Sequence, residues 1–116
     1  MVFFSKWYDI QTPEKKRSVK KLIQNGQLEI INGGWVAGDE ADPNYEDMIN
    51  NMMIGHQFLE KEFGVKPTIG WDIDTFGHSD TNNRLFSELG FDAMFFSRLD
   101  WDEKNDRNQK RALTYL

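Results

Sequence analysis

The chain has 116 residues, enough for one domain with a hydrophobic core and too few for two ordinary domains. Its residues are 39% hydrophobic and 14% aromatic, which excludes a disordered segment. The net charge of −5 argues against nucleic acid as a partner, and the absence of cysteine excludes disulfides and thiol nucleophiles. No apolar run approaches the roughly 18 residues of a membrane span, and no signal segment follows Met1.

The first half of the chain predicts two strands and two helices. The short apolar run 2–4 is interpreted as a strand, and the stretch 12–26 as a helix, because Pro13 follows a capping threonine and a glycine ends the pattern. A second strand is predicted at 28–32, before a pair of glycines. Apolar residues at helical spacing predict a long helix over 42–64.

The second half repeats this alternation. Strands are predicted at 68–73 and 93–96, with a helix that Ser79 caps and Gly90 ends between them, and a further helix is expected within 102–116. Alternating strands and helices predict parallel strands joined by crossover helices. We therefore expect an α/β fold, a partial β/α barrel-like domain over residues 1–116, left incomplete because four strands cannot close a barrel.

Parallel strands carry their carboxyl ends to one rim, where α/β proteins bind their ligands. This geometry predicts a shared cluster of acids, aromatic rings and one arginine at Trp7, Asp9, Trp35, Asp39, Glu40, Asp74, Phe76, Arg98 and Asp100. Carboxylates accept hydrogen bonds from hydroxyl groups, and aromatic faces pack on sugar rings. The rim therefore suits a polyhydroxylated ligand or a divalent cation.

Asp74 is the strongest candidate for a nucleophile, because it follows a strand directly and Arg98 would keep it ionised. A loop hydrogen bond would explain the same aspartate. Asp72 suggests a D-x-D metal motif with Asp74, and His78 would extend a metal site, although both side chains also suit plain hydrogen bonding. His56 falls on the apolar face of the long helix and is interpreted as a buried, hydrogen-bonded histidine.

Five motifs in order give the chain a likeness to a known family. They are F-F-S-K-W-Y at 3–8, G-Q-L-E-I-I-N-G-G-W-V at 26–36, D-E-A at 39–41, W-D-I-D-T-F-G-H-S at 71–79 and F-F-S-R-L-D at 95–100. With them the chain resembles glycoside hydrolase family 38, the α-mannosidases, and in particular the lysosomal α-mannosidase branch. The resemblance covers nearly the whole chain.

The resemblance implies a zinc-dependent enzyme that hydrolyses α-linked mannose of N-glycan-type oligosaccharides with retention of configuration. It assigns Asp74 as both nucleophile and zinc ligand, Phe76 as a residue of the mannose pocket, and Arg98 as the arginine beside the nucleophile. It also implies residence in a lysosome, vacuole or other secretory compartment. The remaining zinc ligands and the general acid/base of the family fall outside the chain, so the rest of a longer polypeptide is the expected partner.

Three positions depart from the family pattern. Thr75 replaces the usual proline, Asp72 stands where a small residue or histidine is common, and Asn44 replaces a frequent histidine. With a single family zinc ligand, the 116-residue chain is expected to be inactive alone. Two alternatives remain open: a metal-dependent glycosyltransferase that uses Asp72 and Asp74, and a non-catalytic sugar-binding remnant.

Overall fold

The structure is a computed structural model that describes residues 1–112. These residues form five helices and two strands, in the order α1 (Val2–Asp9), α2 (Pro13–Gln24), α3 (Tyr45–Phe63), β1 (Ile69–Asp72), α4 (Asp80–Glu88), β2 (Ala93–Phe96) and α5 (Trp101–Gln109). The helix expected within 102–116 corresponds to α5, while the end of that stretch, 113–116, lies outside the described residues. None of the described helices has the length and apolarity needed to cross a lipid bilayer.

The strand predicted at 2–4 is wrong, because these residues begin helix α1. Phe4 and Tyr8, one helical turn apart, lie on one face, and their rings both pack against Phe63 of α3, with centroids 5.8 and 5.0 Å from it. A three-residue apolar run fits either secondary structure. Contact with α3 selects the helix.

Helices α2 and α3 follow the sequence prediction closely. The Thr12 hydroxyl accepts a hydrogen bond from the Lys15 amide at 3.3 Å, as expected for the predicted cap. Helix α3 begins at Tyr45, slightly later than predicted, and ends at Phe63; Gly64 caps it with a φ of +68°, the left-handed conformation that glycine favours. Between α1, α2 and α3 lies the main hydrophobic core, formed by Tyr8, Val19, Ile23, Leu59 and Phe63.

The strand predicted at 28–32 is also wrong, since no strand is assigned there within residues 1–112. Asn32 and Gly33 have φ angles of +57° and +84°, so the chain turns and cannot continue an extended ladder. A single backbone bond, from the Asn32 amide to the Ile69 carbonyl at 2.7 Å, holds this segment beside β1. The turn packs directly on α3, where a side chain at Gly55 would lie 1.8 Å from the Gly33 carbonyl oxygen.

Strands β1 and β2 are parallel neighbours, as predicted, with Asp72 paired to Phe96 at their carboxyl ends. Helix α4 makes the crossover between them. Its first residue follows Ser79, whose hydroxyl accepts a hydrogen bond from the Asn82 amide at 3.1 Å, so this predicted cap is confirmed. The unit β1–α4–β2 delivers two loops, 73–79 and 97–100, to the same end of the sheet.

Candidate functional site

An ion pair between Asp74 and Arg98 forms the centre of the candidate site. Each residue lies two positions beyond its strand, and because Asp72 pairs with Phe96 in the parallel register, these equal offsets bring the two side chains together. Arg98 donates to Asp74 Oδ1 from Nε at 2.8 Å and from Nη2 at 2.6 Å. The predicted juxtaposition of the acid and the guanidinium is present.

The arginine uses only one of the two carboxylate oxygens. Both of its hydrogen bonds end on Oδ1, and among the described residues Oδ2 of Asp74 has no hydrogen-bond partner. The side chain of Asp74 is 77% exposed, so Oδ2 faces solvent. A carboxylate held on one oxygen and open on the other is oriented and still accessible to a ligand.

Phe76 completes the group at the strand ends. The guanidinium carbon of Arg98 lies 4.7 Å from the centre of its ring, within cation–π distance. The ring is nevertheless 84% exposed. An exposed aromatic plane beside a carboxylate and a guanidinium offers apolar and polar contacts to the same ligand.

Several other residues predicted for the rim have structural contacts instead. Trp7 and Asp9 belong to helix α1, so the strand end that would have placed them on the rim does not exist. Asp39 accepts a hydrogen bond from the Ala41 amide at 2.9 Å and ties its own loop. Asp100 caps α5 by accepting from the amides of the next helical turn.

The tryptophans also divide between packing and exposure. Trp35 packs edge-on against Phe58, with ring centres 6.0 Å apart, which is a core contact. Trp71 is 41% exposed and contacts Phe95 across the two strands at 5.9 Å. His56 Nε2 donates a hydrogen bond to the Asn32 carbonyl at 2.9 Å, so the predicted hydrogen bond is present, although the residue is only partly buried and not fully buried as predicted.

A second, more buried polar group lies next to the ion pair. The carboxylate of Glu40, with a side chain only 6% exposed, accepts hydrogen bonds from the Ser79 amide and, at 3.0 Å, from the side-chain amide of Asn82. Its Oε1 also lies 3.5 Å from Nδ1 of His78. Glu40 was predicted on the rim, and in the structure it joins its own loop to the start of α4.

Asn82 was not singled out in the sequence. It lies in the first turn of α4 and is 3% exposed, with its side-chain amide directed to Glu40 and, at 3.5 Å, to Asp72. A polar residue in a first helical turn is ordinarily solvated, so the sequence carries no signal for this role.

Asp72 has an unfavourable electrostatic environment. Its own burial raises the pKa of this carboxyl to about 6, and the negative charge of Glu40 adds to the increase. The hydroxyl of Thr75 donates to the Asp72 carbonyl at 3.3 Å and closes the turn after β1. The residue that replaces the expected proline therefore makes a hydrogen bond that proline cannot make.

Glu40, Asp72 and His78 together could hold a metal ion, because one potential ligand atom from each lies within 4.8 Å of the other two. Asp74 is not a member of this group. Within residues 1–112 no group of three potential ligands joins Asp72 or His78 to Asp74, so a metal site that includes Asp74 stays a prediction.

Comparison with known proteins defines the class. A family model described as the N-terminal domain of glycosyl hydrolases family 38 matches residues 1–116. The chain is similar to a lysosomal alpha-mannosidase of Dictyostelium discoideum, with 45% identity over 116 residues, and to an alpha-mannosidase of Canavalia ensiformis, with 45% identity over 114 residues. It is also similar to alpha-mannosidase 2 of Rattus norvegicus, with 45% identity over 114 residues.

These matches show that the chain is a glycosyl hydrolase sequence. More specifically, it belongs to glycosyl hydrolase family 38, as its motifs indicated. The three alignments cover 100%, 97% and 98% of the chain but only 12%, 12% and 10% of the respective relatives. The chain thus spans about a tenth of the length of these proteins.

Proposed function

We propose that the chain is part of the catalytic β/α barrel-like domain of a retaining α-mannosidase, acting on α-linked mannose in N-glycan-type oligosaccharides. The arrangement of Asp74, half engaged by Arg98 and half open, is the observation that carries this proposal. Family membership and the names of the relatives support it. The rest of a longer polypeptide supplies the remaining catalytic groups.

In this proposal Asp74 is the nucleophile. A retaining glycosidase uses one carboxylate to attack the anomeric carbon, while a second carboxyl group about 5 to 5.5 Å away protonates the leaving oxygen. Oδ2 of Asp74 is the free oxygen that can make this attack. The general acid/base lies outside the chain.

Arg98 and Phe76 position the reacting groups. Both hydrogen bonds from Arg98 end on Oδ1 and leave Oδ2 open to a ligand. The exposed ring of Phe76 packs on the apolar face of the mannose ring. Binding and orientation by these two residues supply the proximity that the displacement needs.

The donor atoms present fit a zinc ion at this site. A carboxylate oxygen is a normal zinc ligand, and the side chain of Asp74 is 77% exposed and so accessible to an ion. Zinc would supply Lewis-acid contacts to sugar hydroxyls and would orient the ring. Asp74 contributes a single ligand, and the other ligands belong to the rest of the polypeptide.

The location proposed for the protein is a lysosome, a vacuole or another secretory compartment. Lysosomal alpha-mannosidases of Dictyostelium discoideum and Cavia porcellus are among the relatives, at 45% and 43% identity.

The proposal is tested by Asp74→Asn in the complete polypeptide, with an aryl α-mannoside as substrate. The amide keeps the shape of the carboxylate but is not a nucleophile, so we expect kcat to fall by about a thousandfold or more. Asp80→Asn is the matched control, because Asp80 is also an exposed aspartate and lies near the same loop, at the start of α4.

The control variant should keep the wild-type kcat. Equal activity of Asp74→Asn and the wild-type protein would refute the nucleophile assignment. Manganese-dependent transfer from a nucleotide sugar, with no hydrolysis of mannosides, would support the glycosyltransferase alternative instead.

A further inference from the structure

The ion pair at the site is too exposed to hold its own geometry. The side chains of Asp74 and Arg98 are 77% and 54% exposed. A surface ion pair of this kind contributes about 0 to 1 kcal/mol, and part of that is lost in ordering the long arginine side chain. Something beneath the pair must therefore hold the two loops that carry it.

His78 makes the connection between these loops. Its ring lies in the loop after β1, and its Nε2 lies 2.5 Å from the backbone carbonyl oxygen of Arg98, in the loop after β2. A carbonyl oxygen only accepts hydrogen bonds, so Nε2 carries the proton and donates it. The histidine thus bonds the backbone of the residue whose guanidinium holds Asp74.

Glu40 contacts the histidine from the other side. Its Oε1 lies 3.5 Å from Nδ1 of His78, and the same carboxylate is anchored by the Ser79 amide and by Asn82. The side chains of Glu40 and His78 are 6% and 14% exposed, far less than those of the ion pair. The ring of His78 also packs edge-on against Phe96 of β2, at 5.5 Å.

We propose that Glu40 and His78 are positioning residues that lock the loop after β2 to the loop after β1 and so set the distance between Arg98 and Asp74. This inference rests on the proposed function for its catalytic consequence, but its structural part does not depend on activity. A displacement of about 1 Å at a reacting group lowers the rate by up to about a hundredfold. A contact that fixes the two loops therefore affects the rate of the reaction.

His78→Phe in the complete polypeptide is the direct test. Phenylalanine keeps the ring contact with Phe96 and removes both nitrogens. In a crystal structure of the variant we expect the guanidinium of Arg98 to leave Asp74, with their closest N to O distance increasing beyond about 4 Å. An ion pair that stays in place would overturn the proposal, whether or not the protein hydrolyses mannosides.

His56→Phe provides the matched control. This histidine also bonds a backbone carbonyl, that of Asn32, and also packs edge-on against a phenylalanine, Phe91. It lies on α3, and neither of these two partners belongs to the loops 73–79 and 97–100. We expect this variant to lose a comparable hydrogen bond and to keep the Arg98 to Asp74 contact, so opening of the ion pair in both variants would show a general loss of structure and contradict the proposal.

A double-mutant cycle on the aryl mannoside tests the catalytic part. His78→Phe should lower kcat/KM by about 10- to 100-fold in the wild-type background. In an Arg98→Met background it should have little further effect, because the group that it positions is already absent. Independent, multiplicative losses would contradict the proposal.

Two milder variants keep the test decisive if His78→Phe folds poorly. His78→Gln retains an N–H that can reach the Arg98 carbonyl, so it should recover part of the lost activity and keep the ion pair. Glu40→Gln keeps the acceptor for Asn82 but removes the charge that faces His78, and should lower kcat less than His78→Phe does. A His78→Gln variant that lacks the ion pair while its fold is intact would count against the proposed role.

Failure of the proposed function can be told apart from failure of this inference. If the wild-type polypeptide lacks mannosidase activity, only the proposed function is refuted. The crystal structures of the variants still test the positioning role, because they do not depend on activity.

Discussion

The helical half (α1 to α3) and the strand half (β1 to β2) of the described chain differ in how their side chains are buried. In the helical half, α1 to α3 pack five buried apolar side chains against one another. In the strand half, β1 and β2 form a sheet of only two strands, and the side chains beyond their ends are charged, polar or exposed. Hydrophobic burial therefore stabilises the first half, whereas the second half leaves charged and aromatic groups exposed to solvent.

This difference indicates which substitutions will change stability and which will change activity. A buried apolar residue loses transfer and packing energy when it is truncated. An exposed residue of the strand half loses little burial energy when it is replaced. We therefore expect such a substitution to change activity more than the free energy of unfolding. Substitutions in the two halves should therefore differ in their effect on the free energy of unfolding.

The largest effect is expected for Leu59→Ala in the helical half. Leu59 is 0% exposed and lies at the centre of the main core, so the variant loses buried methyl groups and leaves a cavity. We expect the free energy of unfolding, measured by urea denaturation, to fall by about 3 kcal/mol. The control is Met53→Ala on the same helix, which is 45% exposed and should cost much less. Equal losses in the two variants would contradict the division of the chain.

A smaller change of the opposite sign is expected for Asp72→Asn in the strand half. Asp72 is partly buried and faces the charge of Glu40, so it is a carboxylate kept at an energetic cost. Removing its charge should raise the free energy of unfolding at pH 8 by about 0.5 to 1 kcal/mol, the range of a solvent-screened charge interaction. Asp92→Asn, at an exposed aspartate, should leave stability unchanged. A loss of stability in Asp72→Asn would show that its hydrogen bond with Asn82 outweighs the repulsion.

The sequence specified the strand half better than the helical half. The unit from β1 to β2 was predictable because Ser79 and Gly90 mark both ends of the crossover helix, and because short β-branched and aromatic runs flank it. Once that unit is parallel, the offsets of Asp74 and Arg98 bring them together without further information. Local patterns therefore predict that the two side chains lie close together, but not the contacts that hold their loops.

The failures have a common physical cause. The run at 2–4 and the run at 28–32 are both short and apolar, and neither pattern records what the residues pack against. Phe4 becomes helical by contact with Phe63, and Gly33 turns because α3 approaches it at Gly55. The connection through Glu40 and His78 was likewise hidden, since it joins residues that are 38 positions apart and only folding brings into contact.

The smallest effect on stability, and the sharpest comparison between the halves, is expected for Phe76→Ala and Phe3→Ala. Both rings are 84% exposed, one beside the ion pair and the other on α1. Because neither ring is buried, each substitution should change the free energy of unfolding by no more than about 0.5 kcal/mol. Their effects on substrate should differ completely. In the complete polypeptide, Phe76→Ala should raise KM for an aryl α-mannoside about tenfold or more, while Phe3→Ala should leave KM unchanged.

Phe76→Ala measures the contribution of one exposed aromatic ring of the strand half to KM. The ring contacts the guanidinium that holds the proposed nucleophile, and its exposed surface is available to a ligand. An unchanged KM in Phe76→Ala would remove the ring from the binding site, and a matching rise in Phe3→Ala would show that exposed rings affect KM wherever they lie. The proposed function requires that the two phenylalanines, equal in exposure, differ in their effect on substrate binding.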